Sequence, residues 1–183
     1  MLFRSLHPPK AHMVSLELIA ECKKRGESPL LIIVGGALHG EYHESLIAKI
    51  EELGLRDSVY FTGWTEDIPE IMSLCNFTLL PSVNEALGMV LLEGMAAGTP
   101  IVAREGEGGA ELIEEYGTGF LYRPEDGAGP LAEKLLSLFR DRTQYQQLSA
   151  RCKEIAIKEL SLERFGEKLA GLYREYSSVQ EHT

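Results

Sequence analysis

Five short apolar runs, each separated from the next by a helical pattern, constrain the fold of this chain more than any other feature. Unbroken aliphatic and aromatic runs are typical of strands that helices cover on both faces. Apolar residues at helical spacing fill the intervals, beginning near residues 13, 41, 66, 88 and 109. This alternation predicts an α/β fold with a doubly wound parallel sheet. The predicted strands are LLIIV (30–34), VYFT (59–62), FTLLP (77–81), PIVA (100–103) and GFLY (119–122).

The 183 residues are expected to form a single domain, since a chain of this size buries one ordinary core. Its α/β core spans about 1–126, C-terminal helices about 127–177, and a frayed polar tail 178–183. The first three residues, MLF, are too short to complete a strand before the following prolines. The fold is therefore expected to begin within an element, as in a fragment of a longer protein.

Net charge and cysteine usage exclude several classes of protein. The formal charge of −10 repels phosphate backbones and anionic headgroups, which disfavours nucleic-acid binding. The longest aliphatic run, residues 30–34, is far shorter than the roughly twenty residues of a transmembrane segment, so no transmembrane segment is predicted. Cys22, Cys75 and Cys152 lie outside any CxxC pattern. Their spacing predicts reduced thiols and a cytoplasmic protein.

The sequence PSVNEALGMVLLEGMAAGTP, which follows the third strand, carries the clearest chemical signal. Glu93 interrupts an otherwise apolar helix, where an ionised carboxylate needs a partner or a ligand. Glu85 precedes that helix, at the strand end where open α/β sheets bind ligands. The amides of Leu87, Gly88 and Met89 at the helix N-terminus suit a phosphate. Carboxylates accept hydrogen bonds from vicinal hydroxyls. A ligand with both a pyrophosphate and sugar hydroxyls is a nucleotide sugar, which is therefore the predicted ligand.

Glu85 and Glu93 form an E-x7-E pair that resembles the donor-site motif of retaining GT-B glycosyltransferases, of the glycosyltransferase group 1 or family 4 type. Four further segments resemble the same family, and together they cover nearly the whole chain. The resemblance implies the Rossmann-like half of a GT-B fold, and only the C-terminal, donor-binding domain. The further segments are VGG (34–36), VYFTGW (59–64), EGGAELI (107–113) and GTGFLYRPED (117–126).

This resemblance also implies roles for the two glutamates. Glu93 would hold the ribose hydroxyls of the nucleotide, and Glu85 would contact hydroxyls of the transferred sugar. The three amides at the helix N-terminus would face the sugar and the pyrophosphate. The alternatives are structural, with Glu93 in a buried ion pair, for instance with Arg104, and Glu85 as a solvated loop or helix-capping residue.

A basic segment near the N-terminus resembles the family pattern G-R-L-x-P-x-K-G. Lys10 fits the lysine position of that pattern, and Ala11 replaces its glycine. An ungapped alignment on Lys10 puts Ser5, rather than Arg4, at the arginine position. The resemblance implies that Lys10 and Arg4 neutralise the donor diphosphate and act with Glu85 in catalysis. The alternative is that both cations are solvated terminal charges.

Two strand-end segments are expected to complete the donor cleft. The resemblance implies that Gly35 and Gly36 line the cleft, although the residues alone also fit a tight strand-to-helix turn. Gly63 and Trp64 stand where the family holds the nucleobase. Trp64 fits a half-buried core aromatic equally well.

The predicted function is donor binding in a retaining glycosyltransferase that moves a hexosyl group from a UDP-sugar or GDP-sugar to an acceptor hydroxyl in carbohydrate biosynthesis. The nucleotide sugar is a substrate, so no cofactor is expected. No metal site is predicted either, because His39 and His43 lack the H-E-x-x-H order. This chain alone is predicted to be inactive. The alternatives are a non-catalytic nucleotide-sugar-binding or interaction subunit of a split transferase and, by fold analogy, a GT-B sugar epimerase.

The last predicted helix, over 161–177, carries an apolar stripe. The resemblance implies that this helix reaches toward an N-terminal GT-B half, supplied in cis or in trans. Part of the stripe is then uncovered here, which predicts a homodimer or a poorly ordered C-terminus. The alternative is a helix packed wholly on its own domain. The stripe comprises Leu162, Phe165, Leu169, Leu172, Tyr173 and Tyr176.

Overall fold

The computed structural model of the protein describes residues 6–36 and 40–180. Its helices lie between the predicted strands and fill the chain after residue 127, as the apolar spacing predicts. The last helix continues to Gln180, so residues 178–180 of the expected tail are helical. No helix in the described ranges has both the length and the apolar character needed to cross a membrane. The helices are α1 (His12–Lys24), α2 (Glu41–Glu52), α3 (Ile68–Leu74), α4 (Met89–Ala97), α5 (Ala110–Tyr116), α6 (Ala128–Arg140), α7 (Arg142–Lys158) and α8 (Leu162–Gln180).

The five predicted strands are present and pair in parallel. One sheet joins the first two strands, and in the other the fourth strand lies between the third and the fifth. Because the pairing is parallel, the carboxyl ends of the strands in each sheet meet at one edge. The strands are β1 (Leu31–Val34), β2 (Val59–Gly63), β3 (Thr78–Leu80), β4 (Ile101–Arg104) and β5 (Gly119–Tyr122).

Strand residues alternate between two hydrophobic cores, one on each face of the sheets. Ile33 of β1 and Leu79 of β3 share a core with residues of α1, α2 and α6. Their neighbours Val34 and Leu80 belong to a second core with α3, α4, α5 and α7. Both sheets therefore contribute to both cores, and helices cover both faces. The predicted doubly wound α/β fold is confirmed.

The apolar stripe of α8 lies on the surface. Its described members range from 41% to 89% exposed, whereas the core residues of α6 are buried. The alternative that α8 packs wholly on its own domain is therefore wrong for these side chains. The exposed members are Leu162, Phe165, Leu169, Leu172 and Tyr173.

Candidate functional site

An ion pair joins two of the predicted site residues across the chain. Lys10 Nζ lies 2.7 Å from Oε2 of Glu85, although 75 residues separate them in sequence. The side chains are 30% and 17% exposed, so water screens the pair only in part. Glu85 is thus not a solvated loop residue. Nor does it cap α4, whose N-cap is Gly88.

A short turn brings Lys10 to this position. A single 3₁₀ turn, Pro8–Lys10, precedes α1, and the Pro9 carbonyl accepts a 2.7 Å hydrogen bond from the backbone N–H of Val83. Ala11 then adopts the left-handed conformation, with φ 49° and ψ 41°. That conformation costs an L-residue about 1 kcal/mol relative to glycine. The chain thus keeps the backbone geometry of a glycine at the position where the resembling pattern has one.

A buried histidine stands directly after this turn. Burial, helped by the positive charges of Lys10 and His7, lowers the pKa of His12 from 6.5 to about 4. Its imidazole is therefore neutral at pH 7. The Tyr42 hydroxyl lies 3.2 Å from both the backbone nitrogen and Nδ1 of His12. This contact ties the start of α1 to the start of α2, and sequence reasoning missed it.

The loop between β4 and α5 holds the backbone of Glu85. Glu107 Oε2 accepts a 2.9 Å hydrogen bond from the Glu85 N–H, and Gly108 N–H donates to the Glu85 carbonyl at 2.7 Å. A Cβ added to Gly108 would overlap the carbonyl oxygen of Ala86. The loops after β3 and β4 therefore lie in backbone contact. The EGG triplet (residues 107–109) belongs to a segment that resembles the family, but the sequence alone did not predict this contact.

The start of α4 is the segment whose amides are predicted to bind a phosphate. Its N-cap, Gly88, is buried with φ 72°, and the side chains of Leu87 and Met89 on either side are exposed. The first amides of a helix lack intrahelical partners and lie at the positive end of its dipole. Glu93 lies one turn beyond Met89, with its side chain half-buried.

The remaining predicted residues meet at the carboxyl ends of β1 and β2. Gly35 N–H donates to the Gly63 carbonyl at 3.0 Å, and a Cβ added to Gly36 would lie 4.0 Å from Cβ of Trp64. Trp64 is 75% exposed, so the interpretation as a core aromatic is wrong.

Two further predictions concern the basic residue before Lys10 and the absence of a metal site. Arg4 and its register alternative Ser5 lie outside the described residues. Within residues 6–36 and 40–180, no group of three or more His, Cys, Asp or Glu side chains could hold a metal ion.

Two curated proteins with similar sequences are named as glycosyltransferases. Alpha-D-kanosaminyltransferase of Streptomyces kanamyceticus is 33% identical over 87% of this chain and 41% of that protein. Putative glycosyltransferase EpsD of Bacillus subtilis is 31% identical over 90% of this chain and 42% of that protein. The chain thus spans less than half the length of these curated relatives.

Solved structures share the fold of this chain. Anabaena Alr3699/HepE in complex with UDP superposes with a TM-score of 0.84 at 29% identity, covering 95% of this chain and 48% of that one. The C-terminal domain of a glycosyl transferase group 1 family protein, LpcC of Francisella tularensis, has the same fold, with a TM-score of 0.76 over 88% of this chain and 85% of that one. The sequence model of "Glycosyl transferases group 1" matches residues 3–159. The chain belongs to this family of glycosyltransferases.

Proposed function

We propose that this chain is the C-terminal, donor-binding domain of a retaining glycosyltransferase that transfers a hexosyl group from a nucleotide diphosphate sugar to an acceptor hydroxyl. The observation that carries the proposal is the contact between Lys10 and Glu85 beside the start of α4. It joins a cation suited to a diphosphate and a carboxylate suited to sugar hydroxyls. Alr3699/HepE, solved with UDP and with UDP-glucose, supports this ligand class.

Each part of the site has a role in the proposed reaction. Lys10 and the N-terminus of α4 stabilise the diphosphate as its bond to the anomeric carbon breaks, because charge develops there. Glu85 accepts hydrogen bonds from hydroxyls of the sugar, and Glu93 from those of the ribose. Trp64 offers an exposed ring to the nucleobase. The lysine and the helix N-terminus supply the positive charge, so the proposal includes no metal or cofactor.

The acceptor belongs to a part of the enzyme that this chain does not include. The curated relatives are more than twice as long as the segment that they share with it. We therefore assign the acceptor pocket to an N-terminal half, in cis or in trans. We also propose that the complete enzyme is cytoplasmic, because Cys22, Cys75 and Cys152 are free thiols. The chain alone should bind donor weakly and transfer sugar negligibly.

Titration calorimetry with UDP, GDP and ADP, each beside its nucleoside, tests donor binding directly. Lys10→Met is expected to weaken binding of the preferred diphosphate about tenfold, the loss of one charge-assisted hydrogen bond. Binding of the free nucleoside should stay unchanged, because the lysine acts on the phosphates alone. Equal losses for both ligands would remove Lys10 from the phosphate site, and no binding of any diphosphate would refute the proposal.

A matched double variant separates two contributions to that loss. Lys10→Met leaves the Glu85 carboxylate without its cation, and this carboxylate then repels the diphosphate. Lys10→Met with Glu85→Gln removes both charges, so its loss relative to Glu85→Gln isolates the direct lysine contact.

The exposed face of α8 predicts self-association of the isolated chain. Apolar patches of this extent drive association in water, and we expect a dimer that forms with increasing concentration in light scattering. Replacing Phe165, Leu169 and Leu172 together by Ser should restore the monomer and leave the domain folded, because these side chains are exposed and belong to neither core. A wild-type monomer at high concentration, with strong amide-exchange protection of α8, contradicts this expectation.

A further inference from the structure

The backbone of Glu85 is held on both sides by one dipeptide of another loop. The Glu107 carboxylate accepts a 2.9 Å hydrogen bond from the Glu85 N–H. The Gly108 N–H donates a 2.7 Å hydrogen bond to the Glu85 carbonyl. The neighbouring backbone is fixed as well, because the N–H of Val83 donates to the Pro9 carbonyl. Both backbone polar groups of Glu85, its N–H and its carbonyl, are therefore hydrogen-bonded to protein.

Glu107 differs from the other acid of the same loop. Glu105 is exposed and forms an ion pair with Arg123, which also lowers the pKa of the Glu105 carboxyl. Glu107 is half-buried and turns its carboxylate toward the Glu85 backbone. Two acids only two residues apart thus have different partners, and only one of them contacts the site.

We propose that Glu107 is a positioning residue that fixes Glu85 for recognition of the sugar portion of a nucleotide sugar. The inference rests on the function proposed above, since it presupposes that Glu85 contacts the sugar. Glu107 acts through the Glu85 amide and does not itself touch the donor.

The physical reason is the precision that sugar recognition requires. Hydrogen bonds from two hydroxyls to one carboxylate depend on its position to within about 0.5 Å, and a displacement of about 1 Å is costly at such a site. The Glu85 side chain is attached to the loop backbone, so the position of its carboxylate depends on how firmly that backbone is held. Without Glu107 the Glu85 N–H loses this acceptor, while the hydrogen bonds from Gly108 and Lys10 to Glu85 remain.

Three single variants test the role by calorimetry. Glu107→Leu removes the acceptor, Glu107→Gln keeps an oxygen acceptor without the charge, and Glu105→Leu removes a charge from the same loop as a control. The ligands are UDP and UDP-glucose, or GDP and GDP-mannose if the panel above selects guanine. Glu107→Leu should weaken binding of the nucleotide sugar about tenfold and of the diphosphate less than about twofold. Glu107→Gln should recover most of the loss, and Glu105→Leu should match the wild type.

Amide hydrogen exchange of Glu85 provides a second readout that needs no ligand. We expect faster exchange in Glu107→Leu than in the wild type, and protection close to wild type in Glu107→Gln. Equal losses for diphosphate and nucleotide sugar, or unchanged Glu85 exchange, would overturn the positioning role while leaving donor binding intact. Absence of any diphosphate binding by the wild type would instead refute the proposed function, and this role with it.

Discussion

Lowering the pH from 7 to 4 is expected to reduce the free energy of unfolding by about 3 kcal/mol through His12 alone. Burial lowers the pKa of this side chain in the folded protein to about 4, compared with 6.5 when unfolded. Between these pH values the unfolded chain binds more protons than the folded protein. The contribution of His12 to the free energy of unfolding is therefore fully present above pH 6.5 and decreases as the pH falls toward 4. Urea unfolding at intervals of half a pH unit measures this dependence.

Two variants assign the dependence to His12. His12→Asn keeps an acceptor for the Tyr42 hydroxyl but cannot titrate, so its stability should be nearly constant between pH 6.5 and 5. His43→Gln, which replaces a half-buried histidine on α2, should keep the wild-type slope. If His12→Asn retains that slope as well, the titration belongs to another group.

Gly108→Ala is expected to lower the free energy of unfolding by about 3 kcal/mol, or roughly 6–12 °C in melting temperature. The added Cβ would overlap the Ala86 carbonyl oxygen and lie close to that of Glu85. Both contacts are to backbone, so a side-chain rotation cannot relieve them, and the loop that carries Glu85 must move. We therefore expect the folded variant to lose nucleotide-sugar binding as well.

Gly119→Ala is the matched control for this effect. Its Cβ would overlap the Ile101 carbonyl oxygen where β5 begins, at the sheet edge opposite the candidate site. A comparable loss of stability is expected, but the folded protein should bind donor like the wild type. Calorimetry at a temperature where both variants are folded distinguishes them. Equal binding by both variants would show that the contact made by Gly108 matters only for stability.

Local hydrophobic patterns were enough to predict the fold, because each strand and helix depends mainly on the residues in and around it. The predicted run LLIIV (30–34) contains β1, which begins one residue later, and apolar spacing located α6, α7 and α8 to within three residues at either end. The order of elements then left few arrangements of a parallel sheet. Side-chain exposure was harder to predict for Trp64, because a single aromatic after a strand has no periodicity to place it inside or outside.

Contacts between loops could not be read from the sequence. Lys10 and Glu85 were each assigned to the donor, but nothing in their local sequences indicated that they would bind each other. The bond between Glu107 and the Glu85 amide depends on how two loops after adjacent strands meet. Likewise, the two glycines of the EGG triplet did not indicate that Gly108 lies against the Ala86 carbonyl oxygen. Such contacts are decided by tertiary packing, which no local pattern encodes.

Under the proposed function, the ion pair between Lys10 and Glu85 makes donor binding a competition between two anions for one lysine. A diphosphate must compete for Lys10 with a carboxylate that the fold holds at high effective concentration, so free phosphate binds the lysine poorly. A nucleotide sugar compensates for this displacement, because its sugar hydroxyls give Glu85 new partners. After transfer the nucleotide diphosphate has no sugar to offer, so the Glu85 carboxylate competes with it for the lysine without new partners of its own. In the proposed reaction, the same contact thus favours retention of the substrate and release of the product.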